Sequence, residues 1–498
     1  MLKALKPTLS LLLAVSAMCI VSSCSNDKKE TTSTGTYAST PAASCGCDSI
    51  WFPHATTPPP MEGIGSPFDT SSTTNCMFHQ WSWQKFLWLT RPVVGGHAFF
   101  QDSLIQVDAQ LASVTPYNKI PLVLEDTAQA GSGGSLNTNP DFAGDKKTNL
   151  VYYSIYVNNT LMDASVAFKK AIGKDTAKLT NLDMFPIGSL ELKVSWVNVN
   201  AIPEAQRANY YTAEAAIKSG SGYQPTTVAL LGMHVVGRVI NHPEFIWATF
   251  EHHGMAPYYD WKTTTSTQDS PVTSDDEKLL FAKGSTTTLG GITWGTVAPT
   301  IPYKVFTLYK YGVPRTALDS FMTGTCQSEP LNYDNIDGLN TCVAANLDKS
   351  DVWRNYFYNG SIWVNMDGLN DEQQAQLIVS QGSNIGDAQT GGVVRGSLNA
   401  FNLTMETYVQ TGANDSVNNI HNIGVGDLTN CFSCHTGAPF SLSFNGKKYK
   451  NQTSPLYVSH IFRNYMGTGG RTTLKDAKLQ GVKDFVEGLN VKNMRKKK

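Results

Sequence analysis

The sequence predicts an α+β fold: a β-rich, sandwich-like core with long loops and a small helical segment near the C-terminus. Three observations lead there. From about residue 150 the apolar pattern takes a period of two. Two long apolar runs, 227–240 and 244–252, flank the turn-forming group Asn241-His242-Pro243. Helical periodicity is confined mainly to 76–89, 203–218, 371–380 and stretches of the C-terminal region.

The N-terminus has Lys3 and Lys6, an apolar run from about Leu11 to Val21, then Val21-Ser22-Ser23-Cys24. A basic start, a short apolar segment and small residues before a cut site describe an export signal, and the run is too short to span a bilayer comfortably. Cys24 directly after Val-Ser-Ser matches a bacterial lipoprotein box, so residues 1–23 are expected to be the signal and Cys24 the lipidated residue. An ordinary signal peptide cut elsewhere is the alternative. Residues 25–44 are mostly Ser, Thr, Lys, Asp and Ala, and 24–74 reads as a flexible tether. No later run approaches ~18 uninterrupted apolar residues, which leaves the lipid as the expected membrane attachment. The expected location is the bacterial cell envelope, in the outer membrane on its periplasmic or surface face.

Residues 75–400 read as the α+β module. Asn75 is placed to cap a helix over 76–89, and Pro92 to stop it. Met77, Trp81 and Trp88, with Phe78 and Leu89 alongside, give that helix an aromatic stripe, which reads as core rather than as a cofactor box. His79 reads as a packed or polar-face histidine. Leu190, Leu192, Val194 and Trp196 alternate with Glu191, Lys193 and Ser195, the pattern of a half-buried strand. Further strands are expected at 302–309, 361–365 and 403–409. Ser/Thr/Gly-rich loops are expected at 128–140, 263–275 and 284–291.

With 41% hydrophobic residues the chain can fill a large core, and its net charge of −1 gives no reason to expect a nucleic-acid partner. An exported chain can keep disulfides. Of nine cysteines, Cys19 leaves with the signal and Cys24 carries lipid. Cys326 and Cys342 bracket a stretch rich in Asn, Asp, Gly and Pro and are a candidate disulfide. Cys76 can pair with Cys45 or Cys47.

The most informative stretch is Leu-Thr-Asn-Cys-Phe-Ser-Cys-His-Thr-Gly, 428–437, within the C-terminal segment 401–498. Two thiols three positions apart at a helix start reach both vinyl groups on one porphyrin edge, and the adjacent histidine swings to the iron. Cys431, Cys434 and His435 are therefore the expected attachment site of one covalent haem c. From nine cysteines and ten histidines in 498 residues, chance gives on the order of 0.003 such motifs per chain. A thioredoxin-like dithiol needs a strand before it, and the preceding residues read as a loop. A zinc site needs a second ligand pair, and no other Cys-x-x-Cys exists. For the second axial position Met466 is the first candidate and His460 the second, with His421 also in reach.

One more constellation has chemical potential. A hairpin centred on His242 sets His234 opposite Phe250 and brings His252 onto the same face, a pair able to bind a metal or line a haem pocket. Met233, Glu251 and His253 then face the other way.

Several stretches resemble a family of uncharacterised bacterial cytochrome c-like lipoproteins. They are 232–252 (Gly-Met-His-Val-Val-Gly-Arg-Val-Ile-Asn-His-Pro-Glu-Phe-Ile-Trp-Ala-Thr-Phe-Glu-His), 78–89, 188–193, and 404–410 followed by the Cys-x-x-Cys-His motif. The resemblance implies a secreted or lipid-anchored haem c protein. Only the haem motif transfers, onto Cys431, Cys434 and His435.

The function expected is thus a lipid-anchored, mono-haem c-type cytochrome. Its partner would be a redox protein or a small-molecule electron donor or acceptor. The module ahead of the motif is larger than one electron-transfer haem needs, which keeps open a haem-dependent oxidoreductase with its cleft between β module and haem. A binding lipoprotein with a structural or sensory haem is the third reading.

Overall fold

A computed structural model describes residues 45–128, 135–143, 148–174, 182–258, 260, 275–284, 310–312, 329–385, 393–397, 402–407, 430–439, 442–444, 447–449 and 453–467. The expected signal 1–23, Cys24, the strand at 302–309, Cys326, His421 and most of the loops at 263–275 and 284–291 lie outside them.

The strands are β1 (Ile105–Val107), β2 (Leu122–Leu124), β3 (Val151–Val157), β4 (Leu190–Asn198), β5 (Thr212–Ser219), β6 (Gly222–Val239), β7 (His242–His252), β8 (Tyr356–Val364) and β9 (Val394–Gly396). They form one sheet of nine strands in the order β1-β3-β4-β6-β7-β8-β9, with β5 on β6 and β2 on β5. Among the described residues only the β2–β5 pair is parallel. A separate small ladder joins β10 (Leu442–Phe444) to β11 (Lys447–Tyr449). The helices that matter for the site are α1 (Asn75–Thr90), α2 (Asn159–Lys174), α3 (Glu329–Asn346), α4 (Asp371–Gln381), α5 (Cys431–Cys434) and α6 (His460–Gly467). The α+β, β-rich class holds, and the β core is one continuous sheet. Among the described residues no helix is long and apolar enough to cross a membrane.

β6 organises the sheet because it is long enough to serve two neighbours on one edge. Residues 222–229 pair with β5 and 232–239 with β7, while β4 runs along the other edge. The turn into β7 is tight: Val239 pairs with His242, and Asn241 takes a left-handed conformation (φ 63°) that asparagine tolerates. The ladder then shifts between Gly237 and Val239, where Arg238 alone faces three residues of β7, 243–245, so that β7 bulges. As a result His234 lies opposite Thr249, and Met233 opposite Phe250.

Alternation splits the central strands into two faces. Leu190, Leu192, Val194 and Trp196 of β4, Met233 and Val235 of β6, and Ala248 and Phe250 of β7 pack in one cluster with α1 and α3. There Phe86 stacks on Phe250 (ring centroids 4.0 Å) and Trp83 meets it edge-on (5.1 Å). The opposite face carries Glu191, Lys193, Ser195, His234, Val236, Trp247, Thr249 and Glu251.

Several expectations need correction. β4 is covered on both faces, with Glu191 and Ser195 buried, because C-terminal residues lie over its polar side. The helix expected at 203–218 is a short 3-10 turn (Glu204–Asn209) followed by β5. The alanines suggest a helix, but Ala213, Ala215 and Ile217 are buried between exposed Thr212, Glu214 and Lys218, a period of two. The described part of 403–409, residues 403–407, forms turns and no strand. The expected loop before Cys342 is α3, whose Tyr333, Ile336, Leu339 and Val343 follow a helical period beneath a polar, Asn- and Asp-rich surface.

The tether also ends earlier than expected. From Cys45 the chain is packed: Trp51 and Phe68 join the α1 cluster. Disulfides join Cys45 to Cys76 and Cys47 to Cys342. The expected Cys326–Cys342 bond is thereby excluded, since Cys342 is already bonded to the N-terminal strap. Described residues on both sides of position 400 belong to one compact unit. Phe432, Leu456, Val458 and Phe462 of the C-terminal segment share a core with Val236, Trp247 and Ile362 of the sheet.

Candidate functional site

α5 is a single helical turn, too short to persist by propensity, and two local devices hold it. Asn430 and Ser433 form a reciprocal capping box: Phe432 N donates to Asn430 Oδ1 (2.9 Å) and Asn430 N to Ser433 Oγ (3.0 Å). Phe432, fully buried, anchors the turn against Trp247 of β7. Cys431 is then half-buried and Cys434 exposed, both as free thiols. Burial, seconded by the nearby Glu406 carboxylate, raises the pKa of each. A redox dithiol needs the reverse shift, toward thiolate. Among the described residues no cluster of three or more His, Cys, Asp and Glu is arranged to hold a metal ion.

His435 ends the turn. Its Nδ1 lies 2.8 Å from the carbonyl oxygen of Val458. A carbonyl only accepts, so Nδ1 carries the proton and Nε2 presents a lone pair. Burial, then the neighbouring His460, pushes the pKa of His435 well below the ordinary histidine value, which keeps the ring neutral. The ring is held between Trp247 (centroids 4.1 Å) and His460 (3.9 Å, nearly parallel). His460 in turn donates from Nε2 to the Cys434 carbonyl oxygen (2.9 Å). A haem-ligating histidine has this arrangement: neutral, tautomer fixed by a backbone acceptor, Nε2 open. Two free thiols at the required spacing complete the fit.

The other expected residues are dispersed. Met466 is fully buried in the apolar core of the C-terminal segment. His460 lies flat on His435, on the face of the ring rather than beyond its Nε2 edge. The expected pairing of His234 with His252 is not formed, because the register differs by one residue and the two point to opposite faces. His252 is structural. It donates from Nε2 to Asn209 O (3.0 Å), accepts from Gly254 N (2.9 Å), and stacks on Tyr210 (3.7 Å). Burial lowers its pKa to about 3.

Glu251 instead shares the face of His234, within a polar row the sequence does not reveal. His234 Nε2 lies 2.7 Å from Glu406 Oε1, with both side chains largely buried. Burial alone would raise the Glu406 pKa, but His234 and then Lys193 hold it below the ordinary carboxylate value. Glu406 sits in the 402–407 turn, which is bonded to the sheet throughout. Asn402 Nδ2 donates to Phe250 O (2.9 Å), Leu403 N to Glu251 Oε1 (2.7 Å), and Tyr153 OH to Thr404 O (2.6 Å). Gly232 permits this approach, since a Cβ there would lie 2.5 Å from Asn402 Nδ2. Nearby, Ser459 Oγ donates to Glu191 Oε2 (2.9 Å), and burial raises the pKa of Glu191 to about 7. Lys193 and His234 both act electrostatically on His435. Trp247, against which His435 packs, lies on the same sheet face as Lys193 and His234. Nothing local in the sequence links Glu406 to a histidine 172 positions away.

No protein-family model, no curated protein and no solved structure matches the chain.

Proposed function

We propose that the protein is a mono-haem c-type cytochrome, lipid-anchored through Cys24 in a bacterial envelope, that carries electrons between redox partners. The observation that carries this reading is the Val458 carbonyl fixing His435 as a neutral imidazole with Nε2 open, directly after two free thiols at haem c spacing. Haem bound there supplies a reversible one-electron iron couple. The protein's own part is to hold the imidazole neutral, bury its surroundings with Trp247 and Phe432, and tie the attachment turn to a rigid sheet.

Full-length protein expressed with a haem c maturation system tests it. The expected product keeps its colour through acidified acetone and gives the alkaline pyridine spectrum of a porphyrin with two thioether bonds. Cys431→Ser and Cys434→Ser each convert that spectrum to one bearing an unreacted vinyl. Colourless protein, or colour fully extracted by acid acetone, overturns the reading. The charged row beside the motif favours one alternative, a haem-dependent oxidoreductase. A wild-type ferrous spectrum that shifts at once on adding CO would select it.

A further inference from the structure

We infer that His234, oriented by Glu406, is the second axial ligand of the haem attached at Cys431, Cys434 and His435. This rests on the haem reading and goes beyond it by naming the residue opposite His435.

Three observations lead to His234. First, its Nε2 donates to the Glu406 carboxylate (2.7 Å), which leaves Nδ1 as the ring nitrogen that could meet a metal. Nδ1 makes no hydrogen bond with any described residue. A carboxylate behind one ring nitrogen and an open lone pair on the other is the usual second-shell arrangement of a metal-binding histidine. Second, His234 lies on the same sheet face as Trp247, against which His435 packs. It pairs with Thr249, two residues along from Trp247, a diagonal relation that spans about 7–8 Å between Cα atoms. Third, the competing described residues are committed elsewhere. Met466 is enclosed in apolar core, and His460 is stacked on the proximal ring with its Nε2 bonded to Cys434 O. Lys193 Nζ sits over the Tyr153 ring at 4.9 Å.

Coordination through Nδ1 would leave the Nε2 proton on the bond to Glu406, and any proton carried on Nδ1 would be released to solvent. The buried Glu406 carboxylate also increases the basicity of the imidazole, which favours the ferric state.

The test uses full-length holoprotein: wild type, His234→Ala, Glu406→Gln, His460→Ala and Met466→Leu. The pyridine spectrum is read beside the visible, near-infrared magnetic circular dichroism and EPR spectra. Wild type is expected to be low-spin with a bis-histidine near-infrared signature. H234A is expected to keep a normal thioether pyridine spectrum yet become high-spin, bind CO at once, and regain low-spin character when imidazole is added. E406Q stays low-spin, with a raised reduction potential and displacement by CO about tenfold easier. H460A and M466L stay low-spin and bis-histidine. An H234A protein that remains low-spin with an unchanged potential overturns the assignment, as does a methionine–iron charge-transfer band in the wild type. Wild type lacking the thioether pyridine spectrum removes the haem reading instead, a separate and recognisable outcome.

Discussion

Along β4, β6 and β7, one face presents Leu192, Val194, Met233, Val235, Ala248 and Phe250, while the other presents Glu191, Lys193, Ser195, His234, Thr249 and Glu251. The first face is closed by the aromatic helix α1 and by α3, with two disulfides pinning the N-terminal strap over them. The second is closed partly by apolar contacts and partly by polar bonds from the 402–407 turn and Ser459. Apolar burial stabilises with few geometric demands, whereas every buried polar group must find its partner or cost about 1–3 kcal/mol. A chain with hydrophobic residues to spare keeps three carboxylates, a lysine and a histidine under one segment. Burial of that kind costs stability beside the Cys431–Cys434 turn.

The contrast should be largest in stability measurements on the apolar face. Phe86→Ala removes a fully buried ring stacked on Phe250 and contacting Trp353, so urea unfolding should show a loss of about 3–5 kcal/mol. The haem spectrum of the fraction that folds should be that of the wild type, because the whole sheet separates Phe86 from the motif. A spectral change would show that the faces are coupled. Next in size is the double variant Cys47→Ala, Cys342→Ala, which opens a crosslink spanning 295 positions. Its expected cost is about 2–4 kcal/mol, again with unaltered spectra. An unchanged denaturation midpoint would mean that the strap and α3 hold together without the crosslink.

How much of this was legible depends on the distance in sequence between cause and effect. The strands around Asn241, helix α1, the helix at 371–381 and the Cys-x-x-Cys-His spacing are local patterns; the structure has strands or helices at the first three and a helical turn at Cys431–Cys434. The pairing register was not legible, since it depends on a turn closing at Val239–His242 and a bulge of β7 opposite Arg238. One residue of slip moved Glu251 to the face of His234 and His252 away from it. β5 reads as helix because alanine suits both states, and its true state is fixed by β6. α3 reads as loop because its polar surface outweighs a thin apolar stripe. The Cys47–Cys342 bond and the His234–Glu406 pair join residues 295 and 172 positions apart, and no local pattern encodes either.

The polar face should reveal itself through pH. Burial, reinforced by Glu406, raises the pKa of Glu251 to about 8 despite hydrogen bonds from Tyr258 and Leu403. Below the unfolded value, near 4.5, the carboxyl is protonated in both states and contributes no slope. As pH rises toward 8 the unfolded chain releases that proton while the folded chain keeps it, so this group makes the protein less stable with rising pH. A glutamine amide in its place has no such proton to lose. The stability of Glu251→Gln relative to wild type should therefore grow by about 1–3 kcal/mol between pH 5 and pH 8, each pKa unit being worth about 1.4 kcal/mol. Urea titrations at both pH values measure it, and an equal difference at both would show that Glu251 is ionised in the folded protein.

The smallest expected effect separates the faces most cleanly. His234 and His252 sit on adjacent strands, and the sequence suggests that they share a site, yet their side chains leave the sheet in opposite directions. The contacts of His252 are structural: the Asn209 carbonyl, the Gly254 amide, the Tyr210 ring stacked on it and the Tyr356 ring edge-on. Glutamine keeps a donor and an acceptor near those positions but loses the stacking, so His252→Gln should cost about 1 kcal/mol in urea unfolding. Its electronic spectrum, spin state and reduction potential should match the wild type. Because His234→Ala is expected to change all three, the pair works as an internal control read on one instrument. If H252Q altered the haem spectrum while H234A did not, the register that assigns the two histidines to opposite faces would be wrong by one residue. Every residue placed on the polar face of β7 would then belong to the other side.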